Sequence, residues 1–368
     1  MYKVIIYTPQ ELNHSSYIQT GLFELEAQGL ITVDIQLHFQ SKLGRYAIEE
    51  EKLIDNMKPH PKTSFYELID TTTGKKISFA TDLYDFADQF SKVALDHCDY
   101  VFKRSYEARY VEKLPKILQQ KIYPLGLCFG VRSPHQKTWR LFLLGILGSN
   151  FGIQTKLDRL LLRRWKTTWH QQWRHWKFIR GARLLSRFQS FTKAQKDLIL
   201  FQTRCFEEKN QDIREIHQQR YHLIKLLQQE FPNQFRGGFI PDHFFLEKFK
   251  DAVSNVPSAP EEYLDVLKSA KIVIYTRGLA NSPAWKMPEY LSQGKIIIAE
   301  PLTTELPVAL ENEVHLLYFH NDAEFITQIN RVLTDEALGN RLSANARAYF
   351  ETHVSPEKNV NRILQLMQ

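Results

Sequence analysis

Cysteine is scarce in this chain. Cys98, Cys128 and Cys205 are far apart and odd in number, with no CxxC pair and no histidines at ligand spacing. That argues against a disulfide framework and against a zinc site, and it suits reduced thiols in a cytoplasmic protein. Long apolar runs are also missing. The best of them, LFLLGILG at 141–148, falls well short of the roughly 18 residues of a spanning helix. The opening MYKVIIYTP reads as a short strand ending at Pro9, without the charged start and apolar run of a signal peptide, so no leader is expected. There is no internal repeat, no low-complexity tract, and no RRM, KH, zinc-finger or HTH signature to favour nucleic acid.

What remains is an ordinary foldable composition, 43% hydrophobic and 24% charged, over 368 residues, a length comfortable for two domains. The first part alternates strand and helix patterns. VIIY (4–7) and VDIQLHF (33–39) read as strands around a helix at 16–29. SFYELIDTTTGKKISF (64–79) reads as a hairpin, FADQFSKVALDHC as a helix, and DYVFKRS and KIYPLGLCF as further strands. From 196 the pattern is βαβαβαβα: KDLILFQT, a helix at 210–231, FRGGFI, EEYLDVLKSA, KIVIYT, a helix, KIIIAE, HLLYF and terminal helices. Such an order demands a parallel sheet covered on both faces. Two α/β domains joined near residue 190 is the economical division.

Between them the composition changes. Residues 156–187 hold ten lysines and arginines and one acid, +9, against a net charge of +7 for the whole chain. Trp165, Trp169, Trp173 and Trp176 are spaced to line one helical face. Such a helix either packs its tryptophans on a core or lies at an anionic membrane surface, where tryptophan sits at headgroup depth.

In open α/β sheets ligands bind beyond the carboxyl ends of strands. Here those loops carry Arg204 through Lys209 after LILFQT, Arg277 after KIVIYT, and Lys286 and Glu289 at the start of a helix with Pro288 at its first position and Gly294 past its end. Arg204 and Lys209 straddle a helix start, which favours an anion, or they form a solvated set with Glu207 and Glu208. Glu289 in a first turn either complements the helix dipole or serves a ligand.

Residues 196–366 resemble the nucleotide-sugar-binding domain of GT-B glycosyltransferases, particularly family four and its relatives. QTRCFEEKN is similar to "GRLxxEKG", and PEYLSQGKIIIAE to "EAxAxGxPVIA". LSANARAYFETHVSPEKNVNRIL resembles the terminal helices of that family, the last of which crosses back onto the first domain. The resemblance implies two Rossmann-like domains facing a central cleft: 1–190 for the acceptor, including the basic segment 156–187, then 191–350 for the donor, and a returning helix at 351–368. It assigns Glu289 to the donor ribose and Arg204 and Lys209 to the diphosphate, with Arg277 a further cation. Asn281 stands where many members have a first glutamate, eight positions before Glu289. Lys286 resembles the basic residue of exostosin-like relatives and is expected to meet phosphate.

The chain has no DxD sequence, so fixed cations rather than a metal are expected to stabilise the leaving diphosphate, and no cofactor beyond a UDP- or GDP-linked donor is implied. In the first domain His14 and Asp82 are candidates for a general base. His14 reads otherwise as a cap, and Asp82 with Asp85 as an N-cap and its partner. Ser15, Ser16, Lys103 and Arg104 are candidates for acceptor or phosphate contacts, with pairing of the two cations to Asp99 and Glu107 as the alternative. FKRSY at 102–106 resembles a recurring sequence in bacterial relatives. The activity implied is transfer of a sugar to a cell-envelope or lipid-linked glycan at the cytoplasmic face of the membrane. A nucleotide-sugar epimerase and a catalytically degenerate binding protein share the fold and remain alternatives.

Overall fold

The computed structural model describes the chain except residues 11, 39–42, 152–168, 171, 172, 175, 178–182 and 192–196. Its contacts divide into two compact units. One is Met1–Arg187 with Thr304–Val308 and His353–Gln368; the other is Phe188–Thr303 with Ala309–Thr352.

In the first unit β1 (Tyr2–Thr8) and β2 (Ile31–Leu37) are parallel and joined by α1 (Leu12–Ala27). Two hairpins follow, β3 (Leu43–Glu49) with β4 (Lys52–Pro59), and β5 (Thr63–Asp70) with β6 (Lys76–Asp82). Then come β7 (Gln89–Ser91), α2 (Lys92–His97), β8 (Tyr100–Lys103), β9 (Ile122–Pro124) and α3 (Thr138–Phe151). The main sheet has the order β2-β1-β5-β6-β8-β9, and β4-β3-β7 is a separate small sheet. Because β5 is antiparallel to both β1 and β6, the other five strands all run one way. Their carboxyl ends therefore share one edge.

Three elements differ from the sequence reading. The β3–β4 hairpin turns at Glu50 and Glu51, with φ of +47° and +64°. Asn or Gly usually marks that left-handed pair, and neither is there to announce it. FADQFSKVALDHC splits into β7 and α2, because Ser91 caps the helix by accepting from the Ala94 N–H at 3.3 Å. The first helix starts at Leu12 rather than at residue 16, so His14 and Ser15 lie on α1 together with Ser16.

The C-terminal helix, Pro356–Leu366, packs on α1 so closely that a Cβ at Gly21 would lie 2.3 Å from the Pro356 carbonyl oxygen. Tyr17 donates to the Val354 carbonyl at 2.6 Å, and Asn359 Nδ2 to that of Leu125 at 2.9 Å. The segment 304–308 joins this unit through Glu305. Its N–H donates to Tyr106 O at 2.8 Å, and its carboxylate accepts from the Ala108 N–H at 2.7 Å.

The second unit is β10 (Ile199–Arg204), α4 (Gln211–Glu230), β11 (Phe235–Ile240), α5 (Pro260–Ser269), β12 (Ile272–Tyr275), α6 (Lys286–Ser292), β13 (Ile296–Ala299), β14 (Leu317–Tyr318), α7 (Asp322–Thr334) and α8 (Glu336–Tyr349). Its sheet is wholly parallel, in the order β11-β10-β12-β13-β14. Helices on both faces explain the unbroken apolar runs: Ile199, Phe201, Ile272, Ile274, Ile296 and Ile298 share one core, and the intervening Leu200, Val273 and Ile297, on the opposite face, are buried as well. At Gly237 a Cβ would fall 1.9 Å from the Phe201 carbonyl, so only glycine allows β11 to lie there.

Helix α6 begins at Lys286, two residues earlier than expected. Pro288 is its third residue, still among the first four, whose N–H groups have no partner within a helix. At the other end Gly294 turns left-handed at φ +51°. Its N–H donates to Leu291 O at 3.0 Å and that of Lys295 to Tyr290 O at 3.1 Å, the paired bonds of a Schellman stop.

Candidate functional site

The chain leaves β10 toward β11 on one side and enters β12 on the other, so the strand order reverses between β10 and β12. In such sheets the crevice at the carboxyl ends of those two strands holds ligands. Arg204 ends β10, and Thr276 and Arg277 follow β12.

Joining the two strand ends is Arg220, from the middle of α4. It is buried, and its guanidinium donates to Arg204 O at 3.2 Å, to Arg277 O at 3.0 Å and to Thr276 Oγ1 at 3.3 Å. Burial lowers this guanidinium to about 10, with Arg204 and Arg277 adding to the effect and Glu300 opposing it. Phe206 lies beneath the guanidinium groups of Arg220 and Arg204, at 5.3 and 5.6 Å. The same loop is anchored by His217, a buried residue one turn before Arg220. His217 Nε2 accepts from the Phe206 N–H at 2.8 Å, and Nδ1 faces Glu208 at 3.4 Å. Burial holds this imidazole below its ordinary pKa, which suits a neutral ring accepting at Nε2.

Lys286 lies against the ring of Tyr263, 4.3 Å from its centroid, and donates to the Tyr263 hydroxyl at 2.9 Å. Burial lowers its ammonium to about 8. Arg220 and Arg204 lower it further, and Glu289 works the other way. The fold thus brings Arg204, Arg220 and Lys286 into one electrostatic neighbourhood, with the buried Glu289 acting on Lys286 and Glu300 on Arg220: three cations and two carboxylates. Arg220 and Lys286 are desolvated while Arg204 is exposed, and the excess of positive charge is what an anionic ligand neutralises.

The other two cations are engaged elsewhere. Lys209 is exposed and paired with Glu207 at 2.8 Å, while Glu208 binds Lys248. The Arg277 guanidinium pairs with Asp212 of α4, and the Arg277 backbone N–H donates to Glu300 at 2.9 Å. Asn281, at φ +58°, lines a small pocket with Tyr275, Arg277, Glu300, Pro301, Leu302 and Thr303.

In the first unit the candidates gather at the carboxyl edge of the sheet. Asp82 is buried between His60, whose Nε2 lies 2.9 Å away, and Lys103 at 3.3 Å. Burial alone would raise its carboxyl, but His60 and Lys103 hold it far below the usual carboxylate range. Lys103 also donates to Phe86 O at 3.0 Å and Gln89 O at 2.6 Å, which uses its three protons. These contacts correct the assignment of Asp82 as a catalytic carboxylate and of Lys103 as an acceptor contact. Both are buried structural ions, and so weakly basic a carboxylate is a poor proton acceptor.

Arg104 pairs with Asp85 at 2.8 Å and Lys62 pairs with it at 2.6 Å, rather than Asp99 and Glu107 taking the cations. Asp85 is held below its ordinary range by Arg104 and Lys62 against the effect of burial, and His14 contributes. Ser15 and Ser16 are buried on α1, where Ser15 Oγ accepts from Gln19 at 3.1 Å and Ser16 Oγ from the Val131 N–H at 3.4 Å. Both are therefore packing groups, a second correction. Of the first-unit candidates, His14 and Arg104 remain at the edge, around Asp85. Among the described residues no three His, Cys, Asp or Glu side chains converge as a metal site. No helix among them is long and apolar enough to cross a membrane.

Arg220, His217 and His60 were not singled out in the sequence. For the first two a signal existed. Ile213, Ile216, Leu223 and Leu227 form the buried stripe of α4, and His217 and Arg220 fall on it. A charged residue on the apolar face of an amphipathic helix needs a buried partner. His60, at the end of a hairpin strand, had no comparable sign.

Residues 228–365 match a protein-family model described as glycosyl transferase-like. A search of curated proteins finds no match. Among solved structures, TarM is 11% identical with a TM-score of 0.42, the alignment covering 100% of this chain and 99% of that one. HepE of Anabaena, solved in complex with UDP-glucose, is 11% identical with a TM-score of 0.37, covering 100% of both. The C-terminal domain of the glycosyl transferase group 1 protein LpcC of Francisella tularensis is 12% identical with a TM-score of 0.30, covering 44% of this chain and 87% of that one. The matched span contains α6, with Lys286 and Glu289, and the terminal helices, so the motifs PEYLSQGKIIIAE and LSANARAYFETHVSPEKNVNRIL both lie inside the stretch that is similar to the glycosyl transferase-like model.

Proposed function

We propose that the protein transfers a sugar from a UDP- or GDP-linked donor to a cell-envelope or lipid-linked glycan, with fixed cations in place of a metal. The observation that carries this reading is the grouping of Arg204, Arg220 and Lys286 at the strand reversal of the second unit, with the buried Glu289 beside Lys286. Glu289 accepts the ribose hydroxyls. Lys286 and Arg204 take the diphosphate and stabilise its charge as the glycosidic bond to the sugar breaks, a preorganised electrostatic effect. Lys209 gives up its exposed pair with Glu207 for a phosphate at little cost, since such pairs contribute about 0–1 kcal/mol. Arg277, held by Asp212, shapes the loop instead. In the first unit His14, beside Asp85, is the candidate to accept the proton of the attacking hydroxyl. The acceptor class places the protein at the cytoplasmic membrane face, with the basic segment 156–187 toward anionic lipid.

Calorimetric titration with UDP, GDP, CMP and ADP, without added metal, tests the donor site. One nucleoside diphosphate binds, and the heat disappears on changing Arg204 or Glu289. Silence from all four overturns the reading, and turnover of a nucleotide sugar with no acceptor present would favour an epimerase.

A further inference from the structure

Helix α3 presents two faces. Leu141, Phe142 and Ile146 are buried, and the helix packs on β1 and β2. On the outer side Trp139, Leu143 and Leu147, four residues apart, are 54%, 40% and 46% exposed. Beside them stands a stack of tryptophans from the basic segment. Trp169 and Trp173 have centroids 6.4 Å apart with planes at 8°, Trp173 and Trp176 are 4.8 Å apart at 27°, and Trp139 meets Trp176 at 6.0 Å. Trp173 is itself 36% exposed. Trp165, expected on the same face, lies outside the described residues. Exposed His170, Arg174 and Lys177 flank the stack, within a segment of charge +9.

We propose that this face is a membrane wedge: Trp139, Leu143, Leu147 and Trp173 enter the headgroup and upper acyl layer of an anionic bilayer, and Arg174 and Lys177 bind the lipid headgroups. The inference extends the membrane reading made above and moves its apolar part onto α3. Fourteen residues of helix span about 21 Å, short of the roughly 30 Å of a hydrocarbon core, so the helix lies in the plane of the interface. The charge complementarity selects the partner. A nucleic acid offers nothing to Leu143 and Leu147, whereas an anionic bilayer satisfies the leucines, the tryptophans and the cations together. Arg140, on the same helix, is tied to Asp34 and to the Ile35 carbonyl and is left out of this account.

The test is co-sedimentation of the full chain with vesicles of phosphatidylcholine alone and of an equimolar mixture with phosphatidylglycerol. The parent sediments with the mixture and not with phosphatidylcholine alone, and its tryptophan emission shifts to the blue. Leu143→Asp with Leu147→Asp lowers that partition by about tenfold or more. Leu143→Gln with Leu147→Gln, which keeps strong helix formers, shows the loss should the aspartates impair folding. Sedimentation unchanged in both variants overturns the wedge, as does a parent dimer that the glutamine variant converts to monomer, which would assign the face to a second copy. Nucleotide titration of the same variants separates the readings. Vesicle binding with no nucleotide binding refutes the sugar-transfer proposal alone, and the converse refutes the wedge alone.

Discussion

Replacing Arg220 with methionine tests the proposed donor site at its least exposed point. The change keeps a long stem and removes the three donations to Arg204 O, Arg277 O and Thr276 Oγ1. Hydrogen bonds from a charged group contribute roughly 1.5–3 kcal/mol each, but removing the guanidinium also removes the cost of burying it, so the net loss is about 2–4 kcal/mol. For a unit of this size each kcal/mol moves the melting temperature by about 2–4 °C, giving a fall of roughly 5–15 °C in calorimetry. The effect on nucleotide binding has a second source. A unit charge about 7 Å from an anion contributes about 2 kcal/mol at an effective dielectric of 20, so affinity falls by roughly thirtyfold from the charge alone. Arg220→Lys separates the two. It retains the charge and loses the planar fork, so its melting temperature drops nearly as far while its nucleotide affinity stays closer to the parent. If Arg220→Met melts and binds nucleotide like the parent, the clamp between β10 and β12 has no role in the site, and the argument from the strand reversal fails with it.

Lys286 gives a pH signature. Its folded pKa of about 8 lies below the ordinary lysine value of 10.5, so the unfolded chain binds more protons between those limits, and its contribution makes stability rise with pH from about 8 to 10.5. Bound diphosphate favours the ammonium, so nucleotide affinity falls as pH rises above about 8, and titrations at pH 8.5 in buffers of different ionisation enthalpy show proton uptake; Lys286→Met abolishes it. Glu289→Ala weakens nucleotide binding by roughly 1–3 kcal/mol, about five- to 150-fold, and an unchanged dissociation constant would remove Glu289 from the site. Asp82→Asn leaves Lys103 and His60 buried beside a neutral amide and costs about 3–5 kcal/mol in urea unfolding, while nucleotide affinity holds; parent stability with lost transfer activity would restore Asp82 to the chemistry.

The two units were unequally legible, and the reason is physical. A parallel sheet covered on both faces writes itself as short apolar runs, and KIVIY and KIIIA carried that signal with little interference. A mixed sheet with extra hairpins does not. The β3–β4 turn uses two glutamates in the left-handed region, where context rather than residue preference selects the conformation. On α1 the opposite confusion arose. His14 and Ser15 look like loop residues because serine competes for backbone hydrogen bonds, yet Ser15 and Ser16 are satisfied inside the helix packing by Gln19 and Val131. Charge misled in the same way. A lysine or aspartate at a strand end reads as a site from spacing alone, and only the distances reveal that Lys103 and Asp82 neutralise each other. The resemblance points to α6, whose position follows from local signals at both ends. It could not reach Arg220, which belongs to a helix interior and acts on the backbone of residues 16 and 57 positions away. What the motifs identify is the surface at the start of α6 that we propose for the donor. What holds that surface in place is a buried cation on an apolar stripe, and the same test of pattern against charge would locate such residues in other sheets of this order.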